Sequence, residues 1–318
     1  MKKKIVLPLV LAGFITVSSL SVAALLNQKP AEEPAAQAQK DTEIKASVKQ
    51  EEKKQEAADA YPVNQQLKAQ YSALTKENIY HKMLNTIDFY NFVSGTLETS
   101  MLTPGENTVV DYQVDFNLRQ AYERIQNNQT DAETYNLDSK LYDFDNLEKS
   151  KDIALVDSDK SLSTPIPDDE RITKMEDGSP CYNNRNDPTF LTVSSLSLFP
   201  QGMTFGYLQD FNTWDIKGTQ TCLGRECAVV EGGSASAYGE KLATASFRIL
   251  VDAQTGIILK FEGFDQNGNV SNYVTTTSFT VSEKSLRSAV SYDLSKYEDY
   301  TSRNDNYEFY KNFSEASD

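Results

Sequence analysis

The stretch TWDIKGTQTCLGRECAVVEG, residues 213–232, contains two extended segments joined at Leu223-Gly224. A second stretch, ASFRILVDAQTGIILKFEG at residues 245–263, again contains two extended segments, here around a turn at 253–256. A third turn follows at 265–268, where Asn-Gly is typical of the two φ > 0 positions of a type I′ hairpin. The region therefore predicts consecutive β-hairpins.

Apolar and polar side chains alternate along these predicted strands. Such alternation indicates a sheet with one buried face and one solvated face. Arg248, Asp252, Lys260 and Glu262 are expected on the solvated face. The apolar side chains expected on the buried face are those of Phe247, Ile249, Val251, Ile257, Leu259 and Phe261.

The preceding half of the chain predicts the helices and strands that complete this sheet. Residues 76–91 carry apolar side chains at helical spacing after a capping Thr75, and 200–211 predict a second helix with Pro200 in its first turn. The fold class is therefore α+β, with the two helices covering the apolar face of an antiparallel sheet. Further strands are expected at 92–101, 109–118 and 134–147, and loops at 150–190 with a short helical piece at 168–175.

Three motifs of the hairpin region recur in a known family. They are the Gly-Arg-acidic-Cys-apolar segment 224–230, the strand–Asp–turn–Gly–strand unit 249–259 and the turn that ends at Gly268. Together they resemble the lipoprotein-carrier and sigma-factor-regulator superfamily, which has LolA-like and RseB-like members. Residues 80–98 resemble that family's opening helix and first strand. The similarity covers about residues 76–118 and 195–285.

The resemblance implies a curved antiparallel sheet, a half-barrel, whose helices cover the apolar concave face and leave a hydrophobic cavity. In the family this cavity receives the acyl chains of lipoproteins or an extended peptide of an anti-sigma factor. Apolar burial would supply the affinity. The residues expected to line the cavity, each of which could equally be ordinary core, are Val110, Tyr112, Val114, Phe116, Phe247, Ile249, Val251, Leu259 and Phe261.

The N-terminal 60 residues are expected to lie outside this domain. Three lysines precede an uncharged apolar run that ends at Leu26, which indicates an export signal. The run is long enough to stay as a membrane anchor, yet small residues near Ala23 also permit cleavage, so residues 1–26 are a signal anchor or a signal peptide. Residues 27–60, rich in Ala, Glu, Gln and Lys, predict a disordered spacer. The domain is therefore expected outside the cytoplasm, tethered to the membrane or secreted.

The chain has a net charge of −15, and residues 61–318 alone carry −16, because residues 1–60 hold nine basic and eight acidic side chains. This acidity argues against nucleic acid as a partner. Residues 61–285 are expected to form the α+β domain, and residues 286–318 an acidic tail rich in Tyr and Phe. The tail is either flexible or docks its aromatic side chains on a partner or on the domain itself.

Cys181, Cys222 and Cys227 are the only cysteines, and a disulfide can persist outside the cytoplasm. With Leu223-Gly224 at the turn, Cys222 and Cys227 share a strand face diagonally, near the distance limit for a bridge. Cys181 could reach either one, so the pairing stays open.

Recognisable catalytic machinery is absent from the sequence. His81 is the only histidine, and neither a nucleophile elbow, a phosphate-binding loop nor a dinucleotide fingerprint is present. The segment Asp157-Ser-Asp-Lys-Ser161 lacks the Gly and the terminal Glu of a calcium loop. We therefore expect no enzyme, no cofactor and no metal.

The sequence thus favours an exported, membrane-tethered binding protein for an acyl chain, a lipoprotein or an extended peptide. A tethered chain suits an envelope sensor or regulator, with a membrane regulatory protein as a further partner, better than it suits a shuttle. The alternative is a structural or interaction protein of the cell surface with a filled core and no small ligand.

Overall fold

A computed structural model describes residues 61–102, 106–137, 139–233, 237–286, 290 and 292–299. They form one twelve-stranded sheet, open because its two terminal strands have one neighbour each, and a separate two-stranded ribbon. The α+β class and the curved antiparallel sheet are confirmed. The strands are β1 (Phe92–Thr99), β2 (Thr108–Asp115), β3 (Gln120–Gln126), β4 (Asp131–Leu137), β5 (Lys140–Asp145), β6 (Ser150–Leu155), β7 (Ile172–Lys174), β8 (Pro180–Tyr182), β9 (Trp214–Cys222), β10 (Arg225–Gly233), β11 (Ser246–Asp252), β12 (Ile258–Phe264), β13 (Val270–Ser282) and β14 (Glu298–Asp299).

The strand order is β14-β6-β5-β4-β3-β2-β1-β13-β12-β11-β10-β9. The two hairpin series therefore meet where β1 pairs with β13, and only β14 runs parallel to its neighbour β6. The helices are α1 (Gln65–Gln70), α2 (Lys76–Leu84), α3 (Ser195–Leu198), α4 (Gln201–Leu208) and α5 (Ala237–Lys241).

The predicted hairpins of residues 213–282 are confirmed in the structure. Leu223 and Gly224 both have φ > 0, at 49° and 75°, and Cys222 pairs with Arg225. The type I′ prediction for the third turn is wrong, because Gly268 alone has φ > 0 there. The Asp265 carboxylate accepts the backbone N–H groups of Asn267 and Asn269 and thereby holds a different turn.

Asp252 is buried, and its predicted place among solvated side chains is wrong. Its carboxylate accepts two bonds from the Arg225 guanidinium, at 2.6 and 3.0 Å. It also accepts the backbone and hydroxyl protons of Thr255 in the turn that follows β11. A side chain that caps its own turn is drawn inward although the strand pattern directs it outward.

The predicted helix 76–91 begins with Thr75 as its cap but ends at Leu84. Asn85 stops it, because its side chain donates to the His81 carbonyl and a 3₁₀ turn over Thr86–Asp88 follows. The second predicted helix is α4, preceded by Pro200.

Several short elements have no counterpart in the sequence prediction. They are α1, α3, α5, β3, β6 and the ribbon of β7 with β8. The predicted helical piece 168–175 begins as a 3₁₀ turn over Asp168–Glu170 and continues as β7. The predicted strand 134–147 is in fact the hairpin of β4 and β5. Each of these elements has seven residues or fewer.

The main core lies on the face of the sheet that carries Val110, Ile249 and Phe261, which we call the inner face. A second cluster on the outer face joins Tyr135, Tyr142 and Phe144 to side chains of the segment after residue 289. Among the described residues, no helix is long and apolar enough to cross a membrane. The predicted signal segment 1–26 and spacer 27–60 lie outside the described residues.

Candidate functional site

The nine side chains predicted to line a cavity all lie on the inner face and belong to one packed cluster. None is more than 5% exposed. Some of the nine residues belong to β2 and its C-terminal end, and the others belong to β11 and β12. Strands β1 and β13 lie between these two sets, and the buried side chains of Leu97 and Val274 continue the apolar surface across them. The inner face is therefore one apolar surface, and the structure brings the nine predicted residues together as core.

Helices cover the half of the inner face formed by β11 and β12. The Tyr207 ring of α4 lies 5.0 Å from that of Phe247 and 5.2 Å from that of Phe261. The turn at Gly256 approaches α2 so closely that an added Cβ would lie 2.5 Å from the backbone carbon of Lys82. This half is held by tight apolar packing and by a backbone approach that only glycine permits.

The other half of the inner face, around Val114 and Phe116, lies beneath residues 156–194, which we call the cover segment. Glu123 is its main attachment point. This fully buried carboxylate accepts the backbone N–H and the hydroxyl of Thr192, both at 2.6 Å, and those of Ser194, at 3.0 and 2.7 Å. Four donors at these distances satisfy a carboxylate that would otherwise be costly to bury.

Further polar contacts hold the cover segment at both of its ends. The Asn136 amide donates to the carbonyls of Pro188 and Thr189, each at 3.1 Å. Asp159 accepts the hydroxyl of Tyr61 at 2.7 Å and an N–H of Arg119 at 2.9 Å. Leu191 and Val193 of this segment reach the main core. The cover segment is thus attached through hydrogen bonds and through these two apolar side chains.

Two arginines of the cover segment are buried beside α2. Arg185 donates two bonds to the Asp88 carboxylate, at 2.7 and 2.8 Å. Arg171 donates to Asn85 at 2.6 Å and to Gln201 at 3.0 Å, and burial lowers its pKa, with the nearby Arg185 charge adding to the effect. Asn85 and Gln201 therefore supply acceptor oxygens that offset part of the cost of burying charge.

Burial displaces the pKa values of two further side chains of the cover segment, Lys160 and Asp187. Burial lowers the pKa of Lys160 to about 8, although its ammonium lies 4.3 Å from the ring centre of Phe116 and donates to the Tyr90 carbonyl. Burial raises the pKa of Asp187 to about 6, against the bonds that it accepts from Thr189. Both shifts follow from removing a charge from water.

Two cavities are found near the covered face. An open groove of about 470 Å³ lies where α2 begins, between Leu74 and Ile216 of β9, away from the predicted lining residues. A much smaller cavity of about 10 Å³ touches Val114 and Phe116 at the edge of the cover segment. Of the nine predicted lining residues, Val114 and Phe116 line this smaller cavity, and all nine pack in the main cluster.

The three cysteines and His81 also stand out in the sequence. All three cysteines are free thiols in this structure, and a disulfide among them stays a prediction. Burial raises the pKa of the Cys227 thiol to about 12. His81 stacks on Tyr71 at 3.7 Å and contacts the Asp168 carboxylate at 2.9 Å. Within the described part of the chain, no three His, Cys, Asp or Glu side chains are placed to hold a metal ion.

Sequence reasoning missed the attachment points of the cover segment. Glu123 did carry a signal, because it stands at an inward position between Ala121 and Ile125, where an acidic residue needs donors. Arg171 and Arg185 stand in irregular chain, and no pattern marks them.

Neither a protein-family model nor a curated protein matches this sequence. Among solved structures, the chain is similar to the Mycobacterium tuberculosis lipoprotein LppX, with 12% identity and a TM-score of 0.36, over 68% of this chain and 98% of that one. It is also similar to a structure of the Pseudomonas aeruginosa MucA/MucB complex, with 12% identity and a TM-score of 0.34, over 65% of this chain. The match spans a little over half, 56%, of that chain.

A LolA superfamily protein from Nitrosomonas europaea matches with 12% identity and a TM-score of 0.22, over 62% of this chain and 75% of that one. At such identities the likeness concerns the fold.

Proposed function

We propose that this protein is a non-catalytic binding protein of the cell envelope that holds an acyl chain, a lipoprotein or an extended peptide against its inner face. One observation carries the proposal. Half of a continuous apolar face, around Val114 and Phe116, is covered by an irregular segment that is attached through buried hydrogen bonds and an ion pair as well as through Leu191 and Val193.

The two kinds of cover differ in what it costs to remove them. A hydrogen bond to a charged group, such as those of Glu123 and Arg185, contributes about 1.5–3 kcal/mol net, and water can replace the lost partner. Apolar packing such as that of Tyr207 on Phe247 finds no replacement in water, at about 25 cal/mol per Å² exposed. We expect the cover segment to separate from the sheet before the packed helices do, and an apolar ligand entering there offsets the cost of separation by its own burial.

This site suits a ligand with an apolar part and a polar end. Val114 and Phe116 provide the apolar surface, and the cover segment provides polar groups around Glu123 and Asn136. With an export signal and a spacer before the domain, we place the protein outside the cytoplasm. There it acts as a tethered sensor or regulator with a membrane regulatory protein as its partner, and nucleic acid has no part in its function.

The second candidate is a surface interaction protein with a filled core. It is favoured by the packing of the nine predicted residues, none of which is more than 5% exposed. In this case the inner face is ordinary core, and binding takes place elsewhere on the surface.

Two alanine variants separate these candidates. In Phe247→Ala, beneath α4, the free energy of unfolding should fall by about 2–5 kcal/mol, as for core. In Phe116→Ala, beneath the cover segment, it should fall less, while affinity for a fluorescent fatty acid or an apolar peptide should drop by about tenfold or more. Urea unfolding and fluorescence titration measure the two quantities.

The exposed Val270→Ala is the matched control, and neither quantity should change in it. The filled-core candidate predicts that the wild type binds neither probe and that Phe116→Ala loses as much stability as Phe247→Ala. That pair of results would exclude the proposed site.

A further inference from the structure

Three residues that line the same small cavity each carry a buried polar atom without a hydrogen-bond partner in the described part of the chain. The atoms are Oε1 of Gln120, Oδ1 of Asn136 and Oγ of Ser158. Asn136 is 1% exposed and Ser158 is 5% exposed. Buried polar atoms are almost always hydrogen-bonded, so three unpaired atoms at one place indicate a missing partner common to all three.

The orientation of the Asn136 amide is fixed by its other contacts. Its nitrogen donates to the carbonyls of Pro188 and Thr189, each at 3.1 Å, which leaves its oxygen as the atom that needs a donor. The Gln120 oxygen is a second acceptor, and the Ser158 hydroxyl can donate. The occupant therefore has to donate two hydrogen bonds and accept one.

The size of the cavity and the charge beside it limit which molecule can occupy it. Its volume of about 10 Å³ is enough for one water molecule and too small for a larger group. The Arg119 side chain also lines it, and a guanidinium disfavours a cation such as ammonium. A water molecule provides two donors and an acceptor within this volume.

We propose that the cavity is a binding site for one ordered water molecule that joins Gln120 and Asn136 of the sheet to Ser158 of the cover segment. Since Ser158 is near the start of that segment, the water fastens it at the edge of the apolar surface formed by Val114 and Phe116. The proposal stands independently of any ligand on the inner face.

A crystal structure of the full chain at high resolution tests the site directly. We expect one electron-density peak about 2.6–3.2 Å from all three atoms. Ser158→Val, which removes the hydroxyl and fills the cavity with methyl groups, should eliminate the peak. The exposed Thr164→Val on the same segment is the control and should retain it.

Water relaxation dispersion provides the matching measurement in solution. Wild type and Thr164→Val should contain one more long-lived water than Ser158→Val, and Gln120→Met should shorten the residence time of that water if Ser158→Val does not fold. A wild-type structure without the peak, with the three side chains paired in other ways, would overturn the proposal. A water count unchanged in both cavity variants would do the same.

Discussion

Glu123 holds the cover segment with a single buried carboxylate that accepts four hydrogen bonds. In Glu123→Gln one oxygen becomes an NH₂ group that faces donors of Thr192 or Ser194. We expect the free energy of unfolding to fall by about 1–3 kcal/mol, because at least one buried donor loses its acceptor. Urea unfolding measures it, with the exposed Glu226→Gln of β10 as a control that should change it by less than about 0.5 kcal/mol. Equal midpoints for the two variants would contradict this role of Glu123.

Because of Lys160, the free energy of unfolding should change with pH in the alkaline range. Its pKa of about 8 in the folded protein lies below the 10.5 of an ordinary lysine, because burial disfavours the charged form. Between these two values the unfolded chain binds more protons than the folded protein, so stability rises with pH. The stability of the wild type relative to Lys160→Met should therefore increase from pH 8 towards pH 10 by on the order of 1–3 kcal/mol. Paired urea titrations at each pH give this difference, and a difference that is constant or decreases with pH would refute the assignment.

Single residues also show where sequence reasoning ends. The buried positions of Phe247, Ile249 and Val251 follow from strand alternation alone. The buried position of Asp252 depends on the partner Arg225, which is 27 positions away in the chain. Asn267 lacks the φ > 0 expected of it because the Asp265 side chain selects the turn.

At the scale of elements, the segment after residue 289 packs on the outer face through aromatic rings. The Tyr292 ring lies 4.7 Å from that of Tyr142 and 5.4 Å from that of Tyr135. Tyr292→Ala should lower the free energy of unfolding by about 1–3 kcal/mol, since it removes a large part of this cluster. Leu294→Ala in the same segment is the control, because Leu294 is exposed. If both variants unfold at the same urea concentration, the cluster contributes no stability.

The described part of the acidic tail, residues 290 and 292–299, packs on the domain. Tyr292 and Tyr297 dock on the domain itself, one of the alternatives that the sequence left open, and β14 adds to the edge of the sheet beside β6. The remaining aromatic residues of the tail, from Tyr300 to Phe313, lie outside the described residues. Docking of this kind depends on a partner surface, here β4 and β5, that the tail sequence does not contain.

For the whole molecule, the sheet could be predicted and its cover could not. Alternation and glycine turns specify β9 to β13 locally, and the apolar face follows from them. The cover segment has no periodicity, and its contact from Glu123 to Ser194 spans 71 positions of the chain. Side-chain contacts of this range are settled only by the folded structure. For the same reason alternation predicts the inner face, whereas the predicted loops at 150–190 give no sign of the contacts that hold the cover segment.

In the proposed function, an apolar ligand occupies the inner face beneath the cover segment. Native mass spectrometry of residues 61–318, purified from its own host, tests it most directly. We expect the wild type to show a discrete mass excess from a bound lipid or peptide. The same excess should be present in Val270→Ala and lost or strongly reduced in Phe116→Ala. The bare polypeptide mass in both the wild type and Val270→Ala, or an equal excess in all three proteins, would contradict it.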